Sequence, residues 1–342
     1  LRRKLSGCLA ALAAAALLSP FFFVLHRLTV FHTVPYDDYA PYLLWLDGSA
    51  QGAVPDSPYC YRLLSVLAAL PFLHLLPPLP LTNLPAGIPP EWLRATLALN
   101  LVNFLALVAA CLLIVRIGLR RCALAPSEAL LAGMLLFALA WFTQITAIDG
   151  LALLLITSGI ALLERPGAFA ALLLVSVLAN EKVALVLALW LGARVVLVAA
   201  DRARLRLPFA LAAGAVGLYF ALLAALHLPG NAYQTHPGAF AVTIGENLRA
   251  YASARGLLLN VWPIATLTLL AAFGLRSGGA GRGLFRGADM AVIPALAGVA
   301  LVFTHLFQAG RIVLHAAPLF VLPAVAALRT LPGQVSLDRS RA

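Results

Sequence analysis

Charge is what this sequence has least of: 11% of its 342 residues are Asp, Glu, Lys or Arg, against roughly 25% in soluble domains. That scarcity excludes an ordinary water-soluble domain. Acid is scarcer than base, 13 residues against 24, which leaves a net charge of +11. Aromatic residues show little interleaving with the basic ones, so the pattern needed to stack single-stranded nucleic acid is missing and no nucleic-acid partner is expected. Four cysteines, Cys8, Cys60, Cys111 and Cys122, have no motif spacing, and only Cys60 falls on the expected outer side, which argues against an internal disulfide. There is no internal repeat, Gly-rich phosphate loop, metal-ligand cluster or glycosylation sequon. The histidines His26, His74, His227, His305 and His315 are scattered and suggest no metal site; no cofactor is expected, and nothing indicates a divalent metal.

What the sequence has in abundance is long apolar runs. Residues 8–31, 93–115, 128–148, 183–200, 208–227, 256–275, 288–307 and 312–328 are each near or above the ~20 residues that cross a bilayer as a helix. With the shorter segments 150–163 and 168–180, the expectation is an all-α, polytopic bundle of about ten spans forming one integral membrane domain over 1–342. Residues 8–31 begin like a signal peptide, but the run reaches Phe31 without a clear small-x-small site and is read as an uncleaved first span.

Basic residues then set the orientation. Arg2-Arg3-Lys4, Arg116/Arg120/Arg121, Arg202/Arg204/Arg206, Arg276/Arg282/Arg286 and Arg329/Arg339/Arg341 lie between or beyond spans, and the positive-inside rule puts them in the cytoplasm. Both termini are then cytoplasmic, with 329–342 a cytoplasmic tail and 93–328 the remaining spans. Residues 32–92 become a first outer loop with juxtamembrane helices. Within it the proline-dense stretch 60–77 lies along or dips into the membrane. Segments 150–163 and 168–180 are short enough to form a shallow hairpin, and 276–287 reads as a flexible basic inner loop. The Ala/Leu/Arg-rich composition points to a bacterial inner membrane with its outer side facing the periplasm.

This topology sorts the remaining polar residues. Asp37, Asp38, Asp47, Asp56, Glu91, Asp149, Glu181 and Glu246 all fall outside, with Arg27, Arg62, Arg94, Lys182, Arg249, Arg255 and Arg311. Asp149 and Asn180-Glu181-Lys182 stand at helix junctions in apolar surroundings, where a charge is costly unless it faces protein or a wet cavity. An outward-facing polar cavity is the economical explanation.

The first outer loop reads Val34-Pro35-Tyr36-Asp37-Asp38-Tyr39-Ala40-Pro41-Tyr42, two adjacent carboxylates opening an amphipathic segment. Either aspartate also suits a helix cap, since acid at a helix start complements its dipole and Pro41 fits the first turn. An acidic pair in that loop resembles the GT-C glycosyltransferases, the superfamily of the protein O-mannosyltransferases and the lipid A aminoarabinose transferases. The topology resembles theirs over most of the chain, Asp149 resembles a second Asp at the outer end of span three, and Lys182 resembles a lysine at a later outer junction. Pro58-Tyr59-Cys60-Tyr61-Arg62-Leu63 looks like the aromatic-Arg-Leu stretch of bacterial membrane proteins of this kind. The second acid of the pair is often Glu in relatives, and no large outer domain follows the last span.

The resemblance implies an inverting glycosyltransferase with a polyprenyl-phosphate-linked sugar as donor, a glycan or lipid as acceptor and membrane lipid around it. Asp37 or Asp38 would remove the acceptor proton. Lys182, Arg62 or Arg311 would steady the leaving phosphate, and Asp149, with Glu181 beside Lys182, would orient substrate. Plainer roles stand beside these. Lys182 can pair with Glu181 or Asp149 or lift its amine to the interface, and Arg62 and Arg311 can anchor helices to lipid phosphates. Two other classes fit the same polar face: a transporter or flippase of an anionic lipid or solute, and a non-catalytic membrane subunit.

Overall fold

A computed structural model describes residues 39–49, 63–76, 90–143, 149–225, 237–257, 261–276, 284–303 and 309–327. Within them the regular structure is helical, as the apolar runs predict: α1 (Tyr39–Leu46), α2 (Leu63–Leu75), α3 (Pro90–Arg121), α4 (Pro126–Thr143), α5 (Asp149–Leu162), α6 (Pro166–Val177) and α7 (Glu181–Leu197). There follow α8 (Ala199–Ala225), α9 (Pro237–Ala252), α10 (Trp262–Arg276), α11 (Val292–Phe303), α12 (Ala309–Leu314) and α13 (Ala317–Ala326). Prolines open α3, α4, α6 and α9, where the missing N–H costs nothing.

The all-α expectation holds. Two of the described helices are long and apolar enough to cross a membrane by length and composition, Pro90–Arg121 and Ala199–Leu222. The others are shorter: α5, α6 and α13 have 14, 12 and 10 residues, below the ~20 of a perpendicular crossing. The first expected span, 8–31, lies outside the described residues.

Long-range contacts fix the direction of the central helices. The Gly150 amide donates to Asn103 Oδ1 at 2.5 Å, while the Arg121 guanidinium donates to the carbonyls of Ile160 and Ala161 at 3.2 and 3.1 Å. Helices α3 and α5 therefore run parallel. A Cβ at Gly159 would meet Leu187 Cδ1 at 2.7 Å, so α7 keeps the same direction as α5. α13 does too, starting beside His315, which touches Asp149, and reaching Gly118 with Leu322. α6 and α8 return between them. The close approaches are made over glycine: a Cβ at Gly150 would fall on the Asn103 carbonyl oxygen, and one at Gly274 on the Pro323 carbonyl oxygen of α13. Small residues at crossings let helix backbones approach this closely.

Two apolar clusters result. The larger joins α3–α8 and α10–α13, with every residue of α13 buried. The smaller is built from α1, α2 and the first turns of α3. α2 starts where the Leu64 amide bonds the Leu178 carbonyl and ends where Arg94 donates to Leu73 O at 2.9 Å, so it runs opposite to α3. The expected juxtamembrane stretch is thus a helix laid against α3 over 63–75. Thr96, Asn100 and Asn103 form a buried polar stripe on α3, at four- and three-residue steps that share one helix face.

Candidate functional site

The parallel run of α5, α7 and α13 brings three helix N-termini to one place. Asp149 opens α5, Asn180 caps α7, and His315 sits in the turn just before α13. Each N-terminus carries about half a positive charge and unpaired N–H groups, so the convergence favours an anion. Asp149 already occupies it. Its carboxylate accepts from His315 Nε2 at 3.0 Å and lies 3.7 Å from the Lys182 ammonium. Asp149 and His315 are fully buried, and the Lys182 side chain is 12% exposed. A lone buried carboxylate would be prohibitively costly, so these partners are what permit it.

Supporting groups fix the arrangement. Asn103 holds the first turn of α5 through Gly150, and Asn180 Oδ1 accepts from the Lys182 amide at 3.1 Å, an N-cap that sets the start of α7. Two buried polar atoms at this end, Asn180 Nδ2 and Ser65 Oγ, have no hydrogen-bond partner among the described residues. Buried polar atoms are seldom left so; Trp190 Nε1, Asp201 Oδ2 and Arg286 Nε at the far end of α7 share that state.

Asp149 and Lys182, expected from sequence to share a face, are brought into contact. Glu181 occupies the first turn of α7, half-buried, where acid complements the helix dipole. Arg311 lies on α12, four residues before His315, and its side chain is outside the description. Asp37, Asp38 and Arg62 lie outside the described residues; the Arg62 position immediately precedes α2, whose first turn abuts Leu178. His315 was set aside in the sequence among scattered histidines, and Asn103 drew no attention. For Asn103 a signal existed in the polar stripe at helical spacing; for His315 none did, because its partner is 166 positions away. Among the described residues no group of three or more potential ligands is placed to hold a metal.

A second buried ionic network closes the other end of α7. Arg194, 2% exposed, grips Asp289 with two bonds of 2.7 and 2.9 Å, donates to Leu284 O, and approaches Asp201 at 3.6 Å. Arg286 reaches Asp201 at 3.3 Å, its amide donates to Asp289, and Trp190 stacks under the Arg194 guanidinium at 5.3 Å. Of the flexible loop expected over 276–287, the described part 284–287 is tied down, Leu284 by Arg194 and Arg286 by Asp201 and Asp289; residues 277–283 lie outside the described residues. Two acids balance two arginines, and the geometry is that of a structural clasp.

Compared with family models, curated proteins and solved structures, the chain matches none.

Proposed function

We propose that this chain is a multi-pass membrane enzyme of the GT-C kind, moving a sugar from a polyprenyl-phosphate carrier to an acceptor at the outer, periplasmic face of a bacterial inner membrane. The observation that carries the reading is the convergence of the α5, α7 and α13 N-termini on Asp149, Lys182 and His315. Fixed N–H dipoles, one lysine and one histidine make a preorganised place for a phosphate whose negative charge grows as the sugar leaves. Asp149 holds Lys182 and His315 in position. The acceptor proton would go to Asp37 or Asp38, and single displacement would invert the anomeric carbon. The spacing supports embedding: residues 103 to 121 of α3 cover about 27 Å at ~1.5 Å per residue, close to the ~30 Å of a hydrocarbon core, with the Asp149 group at one end and Arg116, Arg120 and Arg121 at the other.

The test uses purified full-length protein, a panel of undecaprenyl-phosphate sugars and a lipid and glycan extract as acceptor, reading release of undecaprenyl phosphate. Wild type should release it from at least one donor, and changing Asp37 and Asp38 together to Asn should abolish release with thermal unfolding unchanged. Retained activity in that variant would end the proposal.

The complete burial of Asp149 and His315 also suits a site that carries a proton or anion through an occluded state, as in a transporter. Counterflow of an anionic lipid or solute without sugar transfer would favour that reading.

A further inference from the structure

The opposite end of α3 and α5 carries a feature that the reaction above does not use. A cleft of about 430 Å³ opens between the ends of these helices, lined by Arg116, Arg120, Arg121 and Arg165, with Ser158 in one wall and apolar residues such as Leu113 and Ile117 in the others. Arg116 and Arg120 stand one turn apart on one face of α3, and Arg165 is the residue before α6.

The simplest role for arginines here is to complement helix C-terminal dipoles. Arg121 does that: it covers the Ile160 and Ala161 carbonyls at the end of α5 and lies 3.7 Å from Glu164. Glu164 is engaged in turn by Arg204 at 2.9 Å. The remaining three cations, Arg116, Arg120 and Arg165, have no carboxylate partner among the described residues and are exposed at the mouth. α6 begins at Pro166, next to Arg165, with no side chain capping its first turn, so the positive end of its dipole adds to the same sign of charge. A concave wall of guanidinium groups above apolar side chains matches a molecule with a phosphate head and hydrocarbon below it, since guanidinium binds phosphate oxygens in pairs.

We infer that this cleft is a binding site for the phosphate head of an anionic phospholipid of the inner leaflet. The site rests on embedding in a bilayer and is independent of sugar transfer. It anchors α3 and α5 at the end remote from Asp149.

Native mass spectrometry of the full chain, released from nanodiscs of mixed phosphatidylglycerol and phosphatidylcholine, tests this. Wild type should retain phosphatidylglycerol over phosphatidylcholine. R116Q/R120Q should lose that preference by about tenfold or more, with R165Q losing less, while gel-filtration profile and helical circular dichroism stay as in wild type. Equal retention of the two lipids, or an unchanged preference in R116Q/R120Q, would overturn the inference. So would displacement of phosphatidylglycerol by millimolar inorganic phosphate, which would assign the arginines to a soluble anion. A substitution of Lys182 should leave the preference intact, which separates failure of this site from failure of the transfer reaction.

Discussion

Helix α7 carries a buried ionic network at each end, and the two are built differently. At its end, Arg194 meets Asp289 through two short parallel bonds, with a second acid, a second arginine and a backbone cap around the pair. At its start, Asp149 is held by one histidine at 3.0 Å and one lysine at 3.7 Å, beside buried atoms of Asn180 and Ser65 that lack a partner. The first network matches two arginines against two acids, so its charges are balanced within it; the second sets one carboxylate and its two partners among three helix N-termini, whose dipoles favour an anion. Buried pairs seldom raise stability much over apolar packing, but breaking one strands a charge. The contrast therefore separates a part that holds the fold from a part able to accept a ligand.

The largest effect expected from breaking this contrast is at Arg194. Arg194→Met should cost about 3–5 kcal/mol by stranding Asp289 and Asp201, read as thermal unfolding in detergent. Adding Asp289→Leu should recover much of the loss; no recovery would mean the pair is not the source. On the other side, Gly150→Ala should destabilise by roughly 1–3 kcal/mol, because the new Cβ would press on the Asn103 backbone rather than on a movable side chain. A fully tolerated alanine would show that α3 and α5 do not approach so closely. Lys182→Met should lower transfer about a hundredfold through the lost phosphate partner while costing less stability than Arg194→Met; an unchanged rate would remove Lys182 from the site. His315→Gln, which keeps a donor near Asp149, should fall between Lys182→Met and wild type in rate, whereas His315→Leu should lose at least as much rate as the lysine variant. The smallest effect concerns Cys122, just beyond α3: burial pushes its thiol up to about 11, partly offset by Arg121. Alkylation by a maleimide at pH 8 should be slow in folded protein and fast after unfolding.

How much of this was legible follows the range of each interaction. Helix identity was clear because apolar runs are local, and Asp149 and Lys182 stood out because a charge amid aliphatic neighbours demands a partner. The same reasoning applied to Arg194, inside the run 183–200, would have raised the question of its partner, yet the answer lay 95 positions away at the start of the apolar run 288–307. His315 was hidden for the same reason. Helix boundaries were misplaced where hydrophobicity continues across a turn: 312–328 reads as one apolar stretch, but the turn at His315 and Ala316 divides it between α12 and α13.

Helix α3 touches Gly150 with Asn103 and the end of α5 with Arg121. It thus acts as a gauge whose length and twist must both be right. Inserting a single residue between positions 103 and 121 would turn one end about 100° relative to the other. The amide at 150 and the carbonyls at 160 and 161 then could not both be met, so this segment should tolerate exchange of side chains far better than any change in the number of its residues.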